Sequence, residues 1–387
     1  MPLAVHEHSH RLPPSEGSMI PLPHFMRTEA HNRKFLGAAL GLSLALAGGA
    51  CADEDTTIRL TVASSQGTTL AWVGAMHTLV VPELDRRLAA RGSPYRIRWT
   101  EAYGGSLYKY GETLEGVSIG LADMGWVGTL WELSKLPLQN LTYYAPFASD
   151  DFRLVVDIVN EMHRTVPAMA DAWTAQNVKF LGASALDTYH LLSTFPVDSV
   201  DDLRGRKILA PGPSAAWLEG TGAVAVDGSL TTYYQQIQTG VADGVFTILT
   251  GAAPNRLHEV APYITLLGLG SQVTGALAIN LDTWNRLPGD VREVLEELGP
   301  EYSRGVADDL AKRYEASIAR MQSEGAIVSD FPLAEKQKWL AAMPDIAGRW
   351  IEATERRGHP AGEALRAYMS ALRARGAEPL RDWGSAP

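Results

Sequence analysis

The chain is 387 residues long, 46% hydrophobic, and carries a formal net charge of -10. That length and apolar content bury a large core and favour two domains over one. An acidic chain with no basic run beyond its first 52 residues argues against a nucleic-acid partner. The single cysteine, Cys51, excludes an intrachain disulfide and a cysteine-ligated structural metal site.

Residues 1–52 read as a leader and signal peptide. Arg33-Lys34 precedes the apolar run Phe35–Ala50, which is too short and too rich in Gly and Ala for a membrane span but suits a secretory h-region. Ala50-Cys51-Ala52 fits a small-residue cleavage site, giving a periplasmic mature chain from Asp53. The rival reading makes Cys51 a lipid-bearing first residue. Gly48 stands three residues earlier, where lipoprotein signals prefer Leu, so ordinary cleavage is favoured. His6-Glu7-His8-Ser9-His10 lies ahead of the signal and is assigned no function.

Ile58–Ser64 alternates and is β-branched, a first strand. Thr68–Arg91 has helical spacing, with an interruption or shift expected near Pro82. Tyr95–Ala102 is a second strand; Gly104-Gly105 then turns into a helix over Tyr110–Gly120, and Leu121–Val127 is a third strand. Leu141–Phe147 reads as loop or strand. One helix is expected over Asp151–Gln176, started by an acidic pair that favours the positive end of the helix dipole. Lys179–Thr194 is long enough for two strands, or for one that crosses between lobes, and is taken as a first hinge.

Lys207–Ala210 is a short buried strand stopped by Pro211-Gly212-Pro213. Tyr233, Tyr234 and Ile237 recur at helical spacing and Gly240 ends that helix. Val241–Thr247 is a further strand. Strand, helix, strand at this pitch is half of a parallel α/β sheet, and such sheets bind ligands at the carboxyl ends of their strands. The combination of DLRGRKI with YYQQIQTGVADG resembles the signature of the solute receptors of TRAP transporters, often labelled C4-dicarboxylate receptors. The resemblance covers roughly Thr57 to Ala374. It also takes in G-x-L-Y followed by L-A-D-M-G, and the W-N-R-L-P that leads into a long helix.

Further on, Tyr263–Trp284 holds two strands, the second being the return crossover, with Gly268, Gly270 and Gly275 read as hinge. From Pro288 the chain is helical, with a kink or split expected at Gly299-Pro300. Two more helices are expected over about Leu333–Arg356 and Pro360–Arg375, with Trp339, Met343 and Trp350 as core.

The resemblance implies an α/β, two-lobed periplasmic binding protein (type II-like), with crossover strands and a long lobe-bridging helix. Residues 56–187 plus 276–318 are expected as lobe 1, and 188–275 plus 319–387 as lobe 2. The implied job is capture of a small organic solute in an interlobe cleft and its delivery to the membrane permease subunits of a TRAP transporter, with no cofactor. The residues themselves show no G-x-S-x-G, P-loop or H-E-x-x-H motif. His77, His163, His190, His258 and His359 are scattered without pairing. A receptor of an ABC importer, or a secreted α/β enzyme, are the alternatives.

Receptors of this family hold a substrate carboxylate with arginine, because a guanidinium fork matches it in two hydrogen bonds. Here Leu209 stands at the strand-end arginine position, His190 aligns with a second and Thr247 with an asparagine. A simple dicarboxylate is therefore not expected, unless Arg153, Arg206 or Arg256 reaches in. The expected ligand-binding residues are Ser65, Gln66, Tyr103, Trp126, Gly128, Tyr189, His190, Leu209, Leu230, Phe246 and Thr247. Glu101, Asp187 and Asp227 are nearby carboxylates.

Overall fold

The computed structural model describes residues 56–385. The leader histidines, the signal run and Cys51 lie outside the described residues.

β1 (Thr57–Ala63) enters the core at Leu60, Val62 and Ala63. α1 (Ala71–Ala75), a π-helical stretch Met76–Val80 and α2 (Val81–Ala90) then run on without a break. The widened turn falls just ahead of Pro82, whose missing N–H leaves the Thr78 carbonyl without its regular partner. β2 (Arg96–Ala102) pairs parallel with β1. A short 3₁₀ turn, Tyr110–Glu112, leads to α3 (Thr113–Ser118), and β3 (Met124–Gly128) pairs parallel with β1 on its other side.

Leu141–Phe147 is neither strand nor open loop, since Pro137–Tyr144 forms a 3₁₀ helix. The single helix expected over 151–176 is two. α4 (Phe152–Thr165) is capped by the Asp151 carboxylate, which accepts from the amides of Arg153 and Leu154. Pro167 opens α5 (Pro167–Thr174) and holds Val166 extended, at φ -114 and ψ 95.

β4 (Val178–Ala185) joins the first sheet and β5 (Tyr189–Ser193) the second, so the chain crosses at residues 186–188. β6 (Lys207–Leu209) is followed by β7 (Val224–Val226), a strand the sequence reading did not contain. α6 (Tyr233–Gln238), β8 (Gly244–Ile248), α7 (Leu249–Ala252) and β9 (Tyr263–Leu266) complete this stretch. β6 pairs parallel with both β7 and β8. The chain returns through residues 267–272, where Gly268 and Gly270 take positive φ of 60° and 104°. Most side chains adopt that conformation only with strain.

β10 (Val273–Asn280) inserts antiparallel between β3 and β4. α8 (Leu281–Arg286) precedes α9 (Gly289–Ser323), a 35-residue helix that is continuous across Pro300 and not split there. β11 (Ile327–Asp330) interrupts the helical C-terminal region and pairs parallel with β9. Met343-Pro344-Asp345 divides the expected Leu333–Arg356 helix into α10 (Leu333–Ala342) and α11 (Ile346–Glu355), and α12 (Ala361–Ala374) follows. Trp339, Met343 and Trp350 are buried core.

The strand orders are β2-β1-β3-β10-β4 and β11-β9-β5-β8-β6-β7. Each sheet is the centre of one lobe. α9 packs on β4, α4 and α2 of the first lobe and on α7 and β11 of the second, and so bridges them. α12 packs against α4, which places the end of the chain beside first-lobe elements.

An aromatic cavity between two sheets

A cavity of about 590 Å³ is walled by both sheets, at the carboxyl ends of β3, β6, β7 and β8. The first lobe supplies Trp72 from α1, Trp126 from β3, Leu130 and Trp131 from the turn after β3, and Tyr110. Trp72 and Trp126 stack at 5.7 Å between ring centroids. Trp131 meets Trp126 edge-on at 6.3 Å and Tyr110 at 4.2 Å. Two glycines make this cluster fit. A Cβ on Gly275 of β10 would lie 2.5 Å from the Trp126 indole, and one on Gly128 equally close to the Trp131 ring.

The indole N–H groups are engaged elsewhere. Trp72 Nε1 donates to Gln66 Oε1 at 2.5 Å, and Trp126 Nε1 to Ser184 Oγ at 2.7 Å. The second lobe supplies Phe246, Thr247 and Ile248 from β8, Asp227–Leu230 from the loop after β7, Thr232 at the cap of α6, and Tyr233 and Gln236 from α6. Leu186 comes from the first crossing, Tyr189 from the start of β5 and Thr274 from β10. Burial pushes the Tyr189 hydroxyl up to about 12, and burial also raises Tyr110 and Tyr233. These three hydroxyls stay protonated at neutral pH.

Among the described residues, no Lys, Arg or His lines the cavity, and Asp227 is the one charged side chain that does. Arg153 pairs with Asp308, Arg256 with Glu259, and Arg206 stacks over Phe195 at 4.0 Å, so none of the three reaches in. Of the other two carboxylates, Glu101 lies 2.6 Å from His77, and Asp187 is buried against the amide and hydroxyl of Thr250.

Trp126, Tyr189, Leu230, Phe246 and Thr247 come together in the lining, and six expected residues do not. His190 neighbours Tyr189 on β5, and successive strand side chains point to opposite faces. Its ring therefore turns away from the cavity to Gly268 and Tyr314. Leu209 is fully buried with Tyr233 and Val245 in the second-lobe core. Gln66 and Gly128 act indirectly, by holding Trp72 and admitting Trp131. Ser65 keeps a buried hydroxyl without a protein partner, and Tyr103 packs edge-on against His77. The sequence reading missed Trp72, Tyr110, Trp131, Tyr233 and Thr274. Trp72 and Trp131 share one legible signal: each is an aromatic residue shortly after a strand of the first lobe.

Two α/β lobes, crossed twice by the chain, bridged by a long helix and enclosing an aromatic cavity at strand ends, define a solute-binding receptor. The chain belongs to family 7 of the bacterial extracellular solute-binding proteins, whose family profile matches residues 95–352. It is 24% identical over 265 residues to the C4-dicarboxylate-binding periplasmic protein DctP of Rhodobacter capsulatus, covering 65% of this chain and 76% of that one. A TRAP periplasmic solute-binding protein of Desulfovibrio salexigens superposes with a TM-score of 0.71 at 21% identity, covering 82% of this chain and 97% of that one. A TRAP solute-binding protein of Rhodoferax ferrireducens, solved with copurified benzoate, gives 0.70 at 15% identity, with 82% and 98% covered. The fold expected from the resemblance is the fold observed, and these relatives are binding proteins.

Proposed function

We propose that this protein is the extracytoplasmic receptor of a TRAP-type transporter, which captures a small organic solute between its lobes and hands it to the membrane permease. The observation that carries this reading is a cavity walled by both sheets, with the chain crossing between them at residues 186–188 and 267–272. Rotation about those crossings, with Gly268 and Gly270 in the second, closes the walls on the ligand. Affinity then comes from desolvating the solute between two preformed half-sites, and no covalent step is needed. Catalysis is not part of this reading, which family membership supports.

The solute is not a simple dicarboxylate. A buried carboxylate needs charge-assisted donors, and the lining offers hydroxyls, one amide side chain and no cation. Small-angle scattering and thermal melting of the chain from Asp53 onward test the receptor reading, using solute recovered from the purified protein by denaturation and mass spectrometry. Compaction together with a rise in melting temperature is expected, because ligand binds the folded, closed form. Identical scattering profiles at saturation overturn it.

A further inference from the structure

We infer that the solute is an organic cation, a small alkylated ammonium compound, held by aromatic faces of the first lobe against Asp227 of the second; this rests on the receptor reading above.

Because the Trp72 and Trp126 N–H groups are already bonded to Gln66 and Ser184, these two buried, mutually stacked indoles offer the cavity no donors, and Trp131 and Tyr110, 40% and 38% exposed, are the more open rings of this wall. An aromatic face carries the negative side of the ring quadrupole and attracts a cation, indole most strongly. Trp72, Trp126 and Trp131 form a corner in which each contacts the next. A compact ammonium group seated at the outer side of that corner, against Trp131 and Tyr110 whose ring centroids are 4.2 Å apart, meets more than one ring at once.

The opposite wall carries the charge that completes the site. Asp227 lies in the loop between β7 and α6, close enough to help raise the Tyr233 hydroxyl. Its carboxylate has no ion-pair partner among the described residues. Lobe closure takes this carboxylate out of water. A neutral solute would leave it buried and unpaired, and an anion would add repulsion, so both are penalised where a cation is not. The neighbouring hydroxyls of Ser229 and Thr232 already bond within their own loop and helix start, the first to Thr231 and the second to Gln236. They are poorly placed to replace a missing guanidinium.

Calorimetry, with tryptophan fluorescence as a second readout, compares three ring-matched probes: benzyltrimethylammonium, benzyl alcohol and benzoate. Benzyltrimethylammonium is expected to bind, and to bind more tightly than either of the others. Asp227→Asn should weaken the cation by roughly tenfold to a hundredfold, the range of a charge-assisted contact, while strengthening benzyl alcohol, which no longer leaves a carboxylate buried and unpaired. Trp131→Leu should weaken the cation as well. Asp227 is exposed, so the melting temperature of the Asn variant should match the parent and rule out misfolding. The inference is overturned by tighter binding of benzoate, by no heat or quenching with the cation, or by an Asn variant that binds the cation as well as the parent. A benzoate that both binds and compacts the protein removes the cation inference and leaves the receptor reading standing. Absence of compaction with every added or recovered solute removes both.

Discussion

The His190 imidazole holds the Tyr314 hydroxyl at 2.8 Å, tying a crossover strand to the helix that bridges the lobes. The Gly268 amide donates to His190 Nδ1 at 3.2 Å, which places the ring proton on Nε2, facing Tyr314. One neutral imidazole therefore joins both crossings and α9. Protonation would put a second donor against the Gly268 amide.

This arrangement makes stability sensitive to acid. Burial lowers His190 to about 3 and His163 to about 4, against an ordinary value near 6.5. The stability they contribute is complete above that value and is lost as pH falls through it towards their folded values. Asp187 runs the other way: burial raises it to about 6, so its contribution is full at low pH and lost as pH rises through that value. Two histidines outweigh one acid, so denaturant midpoints should fall between pH 6.5 and 4. His190→Asn should flatten that slope by up to about 1.4 kcal/mol per pH unit, the linkage of one proton. An unchanged slope would count against a neutral, buried His190.

Gly182 of β4 and Gly299 of α9 touch backbone to backbone, so a Cβ on either would strike the other element's main chain. Gly299→Ala should destabilise by about 1–3 kcal/mol or more, the range of overpacking, measured by urea unfolding. Gly305→Ala is the control. It lies in the same helix with open space around its Cβ, and should be neutral or stabilising.

Leu209→Arg tests where the carboxylate clamp has gone. If position 209 faced the ligand, the substitution would add carboxylate affinity. Leu209 is instead fully buried in the second-lobe core. The expected result is a loss of roughly 3–5 kcal/mol, the cost of an unpaired buried charge, with no gain in succinate or benzoate binding by calorimetry.

Much of the fold was legible because its signals are local. Short apolar and β-branched runs located β1, β2, β3, β8 and β10, the stretch 179–194 was open between two strands and one, and Gly240 ended α6 as expected. The misreadings cluster at prolines: Pro167 and Pro344 divide helices that hydrophobic spacing alone joins, while Pro300 is tolerated inside α9. β7 and β11 are three and four residues long, and pairing with β6 and β9 makes them strands more than their composition does. At the site, sequence reading found strand-end positions but not faces. A single-residue step separates Tyr189 in the cavity from His190 behind it, and the sheet settles that choice.

The strand order also bears on how the molecule is made. β4 has one strand neighbour, β10, and the chain builds β5 through β9 of the other sheet before supplying it. The second sheet in turn waits for β11 at its far edge. A polypeptide emerging amino end first thus leaves the β4 edge open until residue 280, and the β9 edge open until residue 330. Neither sheet is complete before those residues are made, and long-range pairings of this kind form slowly. Completion of both sheets therefore waits on residues 273–330, an order that favours passage across a membrane ahead of folding.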